Sequence, residues 1–232
     1  MNTTSASFDL DKARFNMIEQ QIRPWMVLDK HVLDLLGDVK REQFVPPAYR
    51  GVALADLTIP LTAQGTQGPC MLNPKVEARM VQDLALQPED TVLEIGTGSG
   101  YMAALMSRLC ARVTTVEIDP ALAKQARANL QQAGIDNVDV KEADATANRF
   151  AACTVGAPFD AIVLSGSVAE IPGDLLELLK TGGRLLAIVG DAPAMRATLV
   201  RRTGPTTFHT EQPWDTVVPR LQHFPEPTRF RF

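Results

Sequence analysis

The chain has 232 residues, 45% of them hydrophobic, enough for one sizeable α/β unit and little room for a second. Lys and Arg number 23 against 27 Asp and Glu, a formal net charge of -4, so no bulk attraction to nucleic acid or an anionic membrane is implied. Cys70, Cys110 and Cys153 are odd in number and unpaired in spacing, and His31, His209 and His223 are scattered, which gives neither a disulfide framework nor a metal site.

Residues 1 to 8 are rich in Ser and Thr and read as frayed. No apolar run here or later reaches the length of a membrane span, which predicts a soluble, unexported, cytoplasmic protein. Ala13 to Ile22 and Lys30 to Val39 carry apolar residues at helical spacing, the second opened by Asp29 as N-cap. From Pro46 to Pro69 periodicity gives way to Pro, Gly, Thr and Gln, a long loop of the kind that is either a functional lid or disordered. It stops at Asn73-Pro74, an N-cap followed by proline at the first helical position, and a helix over 74–86 follows.

The most informative stretch is Thr91-Val92-Leu93-Glu94-Ile95-Gly96-Thr97-Gly98-Ser99-Gly100-Tyr101, a buried strand that ends on a carboxylate and opens into three alternating glycines. A dinucleotide fingerprint needs its third glycine at 101, where this chain has tyrosine. The spacing instead suits a compact ligand with a cationic amino group that Glu94 attracts, which favours S-adenosylmethionine (SAM) over NAD. Arg112 to Glu117 forms a second strand ending on an acid about twenty residues further on, as expected of a carboxylate gripping ribose hydroxyls.

Alternation then continues: a helix over about 99–109, strand 113–117, a helix over 120–133 between Asp119 and Gly134, and strand 138–141. Strand 159–164, a short helix over 172–179, a turn at Gly182-Gly183 and strand 184–189 follow, and segments 196–202 and 206–210 form an antiparallel hairpin. The rhythm predicts a doubly wound, mostly parallel α/β sheet with ligands at the carboxyl ends of its strands. One domain is expected: helices and a loop over 1–88, a cofactor core over 89–190 and terminal strands over 191–232.

Taken together, Val92 to Tyr101, Val116-Glu117, Ala143-Asp144-Ala145 and Ala157-Pro158-Phe159-Asp160-Ala161-Ile162-Val163 resemble the protein-L-isoaspartate O-methyltransferase family. The resemblance extends to Met17-Ile18-Glu19-Gln20-Gln21-Ile22-Arg23, like that family's opening helix, and to Val39-Lys40-Arg41-Glu42-Gln43-Phe44-Val45-Pro46, like its V-P-R-E-x-F-V-P segment. It implies a Rossmann-like methyltransferase fold and methyl transfer from SAM, leaving S-adenosyl-L-homocysteine, to the α-carboxylate of isoaspartyl residues in damaged proteins. It implies further that Glu94, Gly96, Thr97, Gly98, Ser99, Gly100 and Tyr101 cradle the methionine part and Glu117 the ribose. Ile118 would take the adenine face, Asp144 and Ala145 its edge, and Ser165 stands where the family has a threonine near the cofactor. Family members are commonly monomers.

The chain departs from the family at its acceptor loop. The G-Q-T-I-S-Q-P segment corresponds to Gly68-Pro69-Cys70-Met71-Leu72-Asn73-Pro74, with an insertion of about four residues at Gln64 to Gln67. Leu72 replaces the serine that helps hold the substrate carboxylate, leaving Thr62, Thr66 or Asn73 as candidate donors and no assigned catalytic residue. Asn73 also reads as a helix cap and Cys70 as an unreactive thiol. Met71, Leu72, Val218 and Arg220 are candidates on the substrate side, Arg220 interrupting a segment like the family's F-V-P-L. Three functions remain open: isoaspartyl methylation with a rebuilt loop, methylation of another acceptor, and SAM binding without turnover.

Overall fold

Continuous apolar runs form strands buried on both faces, and successive side chains divide between two cores. Val92, Val113, Ala161, Val163, Leu186 and Ile188 face one; Leu93, Ile95, Val116, Ile162, Leu164, Leu185 and Ala187 face the other. The computed structural model describes residues 3–226. Its main sheet contains β3 (Thr91–Ile95), β4 (Arg112–Glu117), β5 (Val138–Glu142), β6 (Phe159–Val168), β7 (Leu179–Val189), β8 (Arg196–Arg202) and β9 (Phe208–Asp215). They lie in the order β5-β4-β3-β6-β7-β8-β9. The first five are parallel and the last two antiparallel additions, as the βαβ rhythm and the terminal hairpin predict.

Helices α2 (Lys30–Asp38), α3 (Pro74–Leu84), α4 (Tyr101–Ser107) and α5 (Pro120–Gln132) supply buried residues to the first core. Asp29 caps α2 by accepting the His31 amide, and Asp119 caps α5 through the amides of Ala121 and Leu122. The second core is closed by Phe150, Phe159, Phe224 and the short α6 (Gly173–Leu176).

Several boundaries differ from expectation. Thr3 to Asn16 is helical (α1) and runs into a π-helical turn over Met17–Ile22, so the start of the chain is not frayed from Thr3 onward. The 46–69 loop holds two 3-10 turns, Pro47–Val52 and Gly65–Gln67, and the strand β1 (Ile59–Pro60), which pairs with β2 (Cys70–Met71) and folds the insertion back on itself. Asn73 occupies the N-cap position of α3 without a side-chain capping bond, because its carboxamide binds Asp56 and Thr58 instead. β6 runs on to Val168 across a register shift between Val163 and Ser167, and β7 begins at Leu179, absorbing the Gly182-Gly183 turn. Among the described residues no helix is long and apolar enough to cross a membrane, and none of their His, Cys, Asp and Glu side chains cluster as a metal site.

Candidate active site

A cavity of about 350 Å³ opens where β3, β4 and β6 end, the edge at which parallel sheets hold ligands. Its floor is Ile95, Gly96 and Gly98; one flank is Val116, Glu117, Ile118 and Ala143 to Ala145; and Ser165 and Gly166 form the other. Gln64, Thr66 to Cys70 and Leu72 close it from the loop side, and Pro219 to Gln222 with Phe224 form a strap across it. The strap lies close: a Cβ added at Gly96 would come within 2.8 Å of Leu221, and Gly96 has φ +93°, a left-handed conformation that excludes other residues at low cost.

Glu117 is 5% exposed and accepts the Gly98 amide at 2.7 Å and the Asp119 amide at 3.0 Å. Burial pushes its carboxyl up, against these amide bonds. The acid is therefore fixed before any ligand arrives. Asp144 accepts Thr146 at 2.7 Å and His223 Nδ1 at 2.7 Å, joining the adenine-side flank to the strap. Its carboxyl lies below the ordinary value: desolvation raises it, and the bonds to His223 and Thr146 more than offset that.

Glu94 takes a different place from the one expected. Fully buried on the Val92 face of β3, it does not line the cavity, because strand alternation turns it towards the N-terminal helices. It accepts Thr115 Oγ1 at 2.7 Å and Ser165 Oγ at 2.6 Å, so Ser165 stands between it and the cavity. Burial pushes its carboxyl up to about 8, against the two hydroxyl bonds. Tyr101 is likewise in the core, beside Phe44 and beneath the Arg41 guanidinium. Thr97, Ser99 and Gly100 lie outside the lining, while Gly96, Gly98, Glu117, Ile118, Asp144, Ala145 and Ser165 are within it.

On the acceptor side, Leu72 and Thr66 line the cavity, whereas Thr62 and Asn73 do not. Thr62 is engaged within its own turn by the Gln64 amide, and Asn73 by Asp56 and Thr58. Met71 and Val218 are buried beside the cavity without lining it. Leu72 is held from behind: the buried Arg41 donates to its carbonyl at 2.6 Å, to the Ala53 carbonyl at 3.0 Å, and pairs with Glu77. Gln64, Gln67, Gln222 and Phe224 are contributions that sequence reasoning missed, since they come from segments without periodicity.

Residues 12–217 match the family model for protein-L-isoaspartate(D-aspartate) O-methyltransferase. A protein-L-isoaspartate O-methyltransferase of Rhodopseudomonas palustris is 40% identical over 84% of this chain and 86% of its own length. One from Roseiflexus castenholzii is 38% identical over 94% of this chain and 99% of its own. The chain belongs to the protein-L-isoaspartate O-methyltransferase family. Its fold also matches a Plasmodium falciparum structure assigned to that enzyme type and solved with S-adenosyl-L-homocysteine, at TM-score 0.75 and 17% identity, covering 91% of this chain and 97% of the other.

The residues present fit an S-adenosyl ligand. Gly96 and Gly98 present bare backbone to the cavity, Glu117 offers acceptor oxygens at a strand end, and Val116, Ile118, Ala143, Ala145 and Phe224 supply apolar lining for a base.

Proposed function

We propose that the chain is a SAM-dependent methyltransferase that esterifies the α-carboxylate of L-isoaspartyl residues, a protein-repair activity. What carries the reading is a single cavity that joins the glycine and acid ends of β3 and β4 to the 64–72 loop and the 219–224 strap, in a chain of this family. SAM, when bound, supplies an electrophilic methyl group on a sulfonium.

The chain's own residues align the partners and exclude water. Backbone at Gly96 and Gly98 receives the methionine part, Glu117 the ribose hydroxyls, Ile118 and Ala145 the adenine, and Asp144 its edge. Ser165, oriented by Glu94, presents its oxygen at the cavity wall. No general base is required: an ordinary carboxylate is ionised at neutral pH, so positioning and partial desolvation carry the rate. The loop and the strap, which both line the cavity, supply both. Thr66 in the lining carries a hydroxyl that Leu72 lacks. The net acidic balance supports a protein without nucleic-acid or membrane partners, the three free cysteines support a reducing, cytoplasmic compartment, and we take the chain to act as a monomer.

The apolar Leu72 in the lining favours one competing reading, methylation of a different acceptor. Transfer of labelled methyl to a matched pair of peptides, one isoaspartyl and one aspartyl, separates them. Base-labile ester on the isoaspartyl peptide alone is expected. Transfer to neither, with SAM still bound, would sink the repair assignment.

A further inference from the structure

We propose that Arg220 holds the acceptor carboxylate, a task moved from loop position 72 to the strap, and that Glu226 occupies its guanidinium until the acceptor displaces it. The inference rests on the isoaspartyl reading above. Two departures from the family's pattern meet in one cavity: a hydroxyl is lost at Leu72 and a guanidinium is gained at Arg220, and both residues line it. Among the described residues Arg220 is the one cation in that lining, against the acids Glu117 and Asp144 on the cofactor flank. An anionic acceptor entering opposite two carboxylates needs a positive group at its own end, and a guanidinium matches carboxylate geometry with two parallel bonds.

The backbone at Arg220 is held as firmly as a strand. The Ser167 amide donates to the Pro219 carbonyl at 2.8 Å, and the Leu221 amide to the Ser167 carbonyl at 2.9 Å. Ser167 Oγ donates to the Val218 carbonyl at 3.1 Å. Against Gly166 a Cβ would meet Leu221 at 2.8 Å, so the strap has no slack there. The guanidinium is oriented by the Gly190 carbonyl at 3.0 Å and by Asp191, both just beyond the end of β7. Its Nε meets Glu226 Oε1 at 3.1 Å. Two of its five N–H groups are thus hydrogen-bonded, Glu226 adds an ion pair beside Nε without a hydrogen bond, and the side chain is 27% exposed. Glu226, half-exposed, is the carboxylate an incoming one can replace without leaving the guanidinium unpaired.

The test measures steady-state methylation of the isoaspartyl peptide by wild type, R220L, R220K, E226Q and R220L/L72S, with SAM affinity of each followed by calorimetry. Expected are a KM for peptide raised ~10-fold or more in R220L with SAM affinity unchanged, a partial loss in R220K, and a severalfold lower KM in E226Q. Restoring the hydroxyl in R220L/L72S is expected to recover much of the lost KM, which repair of a merely structural tie would not do. An unchanged peptide KM in R220L, or a raised one in E226Q, overturns the proposal while leaving the isoaspartyl reading intact. A wild type without isoaspartyl turnover overturns both.

Discussion

Arg41 Nη2 donates to the Leu72 carbonyl at 2.6 Å while Nη1 pairs with Glu77 on α3, so one buried guanidinium fixes the acceptor loop to the helix that follows it. Arg41 is 1% exposed and has no water to replace these partners. Burial pushes the Glu77 carboxyl up to about 7 with Arg41 opposing; R41M removes the opposing charge and leaves the acid alone in the core. The expected cost is about 3–5 kcal/mol in urea unfolding, and the double variant R41M/E77L should cost clearly less, because no uncompensated group remains. Equal losses in the two variants would show that the ion pair itself, not its pairing requirement, stabilises the loop.

The buried Glu94 gives stability a pH dependence of definite sign. Its folded-state carboxyl lies at about 8 against an ordinary 4.5, so across that window the folded protein keeps a proton the unfolded chain has released. The associated stabilisation is complete below 4.5 and is lost as pH rises through 8; Glu77, at about 7, acts in the same direction. E94Q should flatten the decline by up to about 1.4 kcal/mol per pH unit. Urea unfolding at pH 5, 6, 7 and 8 checks this, and an unaltered slope in E94Q would mean that the carboxyl is ionised in the fold.

At Gly96 two demands coincide, a φ of +93° and a Leu221 methyl 2.8 Å from where a Cβ would stand. G96A must therefore strain the turn and push the Leu221 side chain aside, which spoils the cradle. We expect S-adenosylhomocysteine affinity in calorimetry to fall at least ~10-fold with the far-ultraviolet dichroism unchanged. Retained affinity would mean that the turn accommodates alanine at little cost.

The alternation of strands and helices was legible because two-sided burial writes parallel strands as unbroken apolar runs. Boundaries failed where local geometry departs from a repeat: β6 continues past a register shift between Val163 and Ser167, and β7 starts before its glycine pair. The glycine and acid motif located the cleft, but side-chain direction decided which of its residues line it. Glu94 shares a face with Val92 and is turned into the core, a consequence of the two-residue strand period that was available from the sequence. Tyr101 opens α4 on its buried side. Gln64, Gln67, Gln222 and Phe224 had no such signal, since they reach the cavity through a folded insertion and a strap pinned at Ser167.

Cys70 offers a direct probe of the loop. Of the three thiols it alone lines the cavity and is only half-buried; Cys110 and Cys153 are buried, their thiols pushed by burial up to about 12 and about 11. Burial raises Cys70 too, and its Sγ donates to the Gly68 carbonyl at 3.3 Å, so at neutral pH little thiolate is present and attack on iodoacetamide should be slow. The expected order in a mass-spectrometric time course is Cys70 first, with the other two unmodified while the fold is intact. Because Cys70 sits on β2 in the wall shared with Leu72, a carboxamidomethyl group there fills acceptor space, and peptide turnover should fall in step with its labelling. S-adenosylhomocysteine affinity should fall far less, since the flanks at Glu117 and Asp144 are untouched. Labelling that leaves turnover intact would place the acceptor's path away from the 64–72 loop.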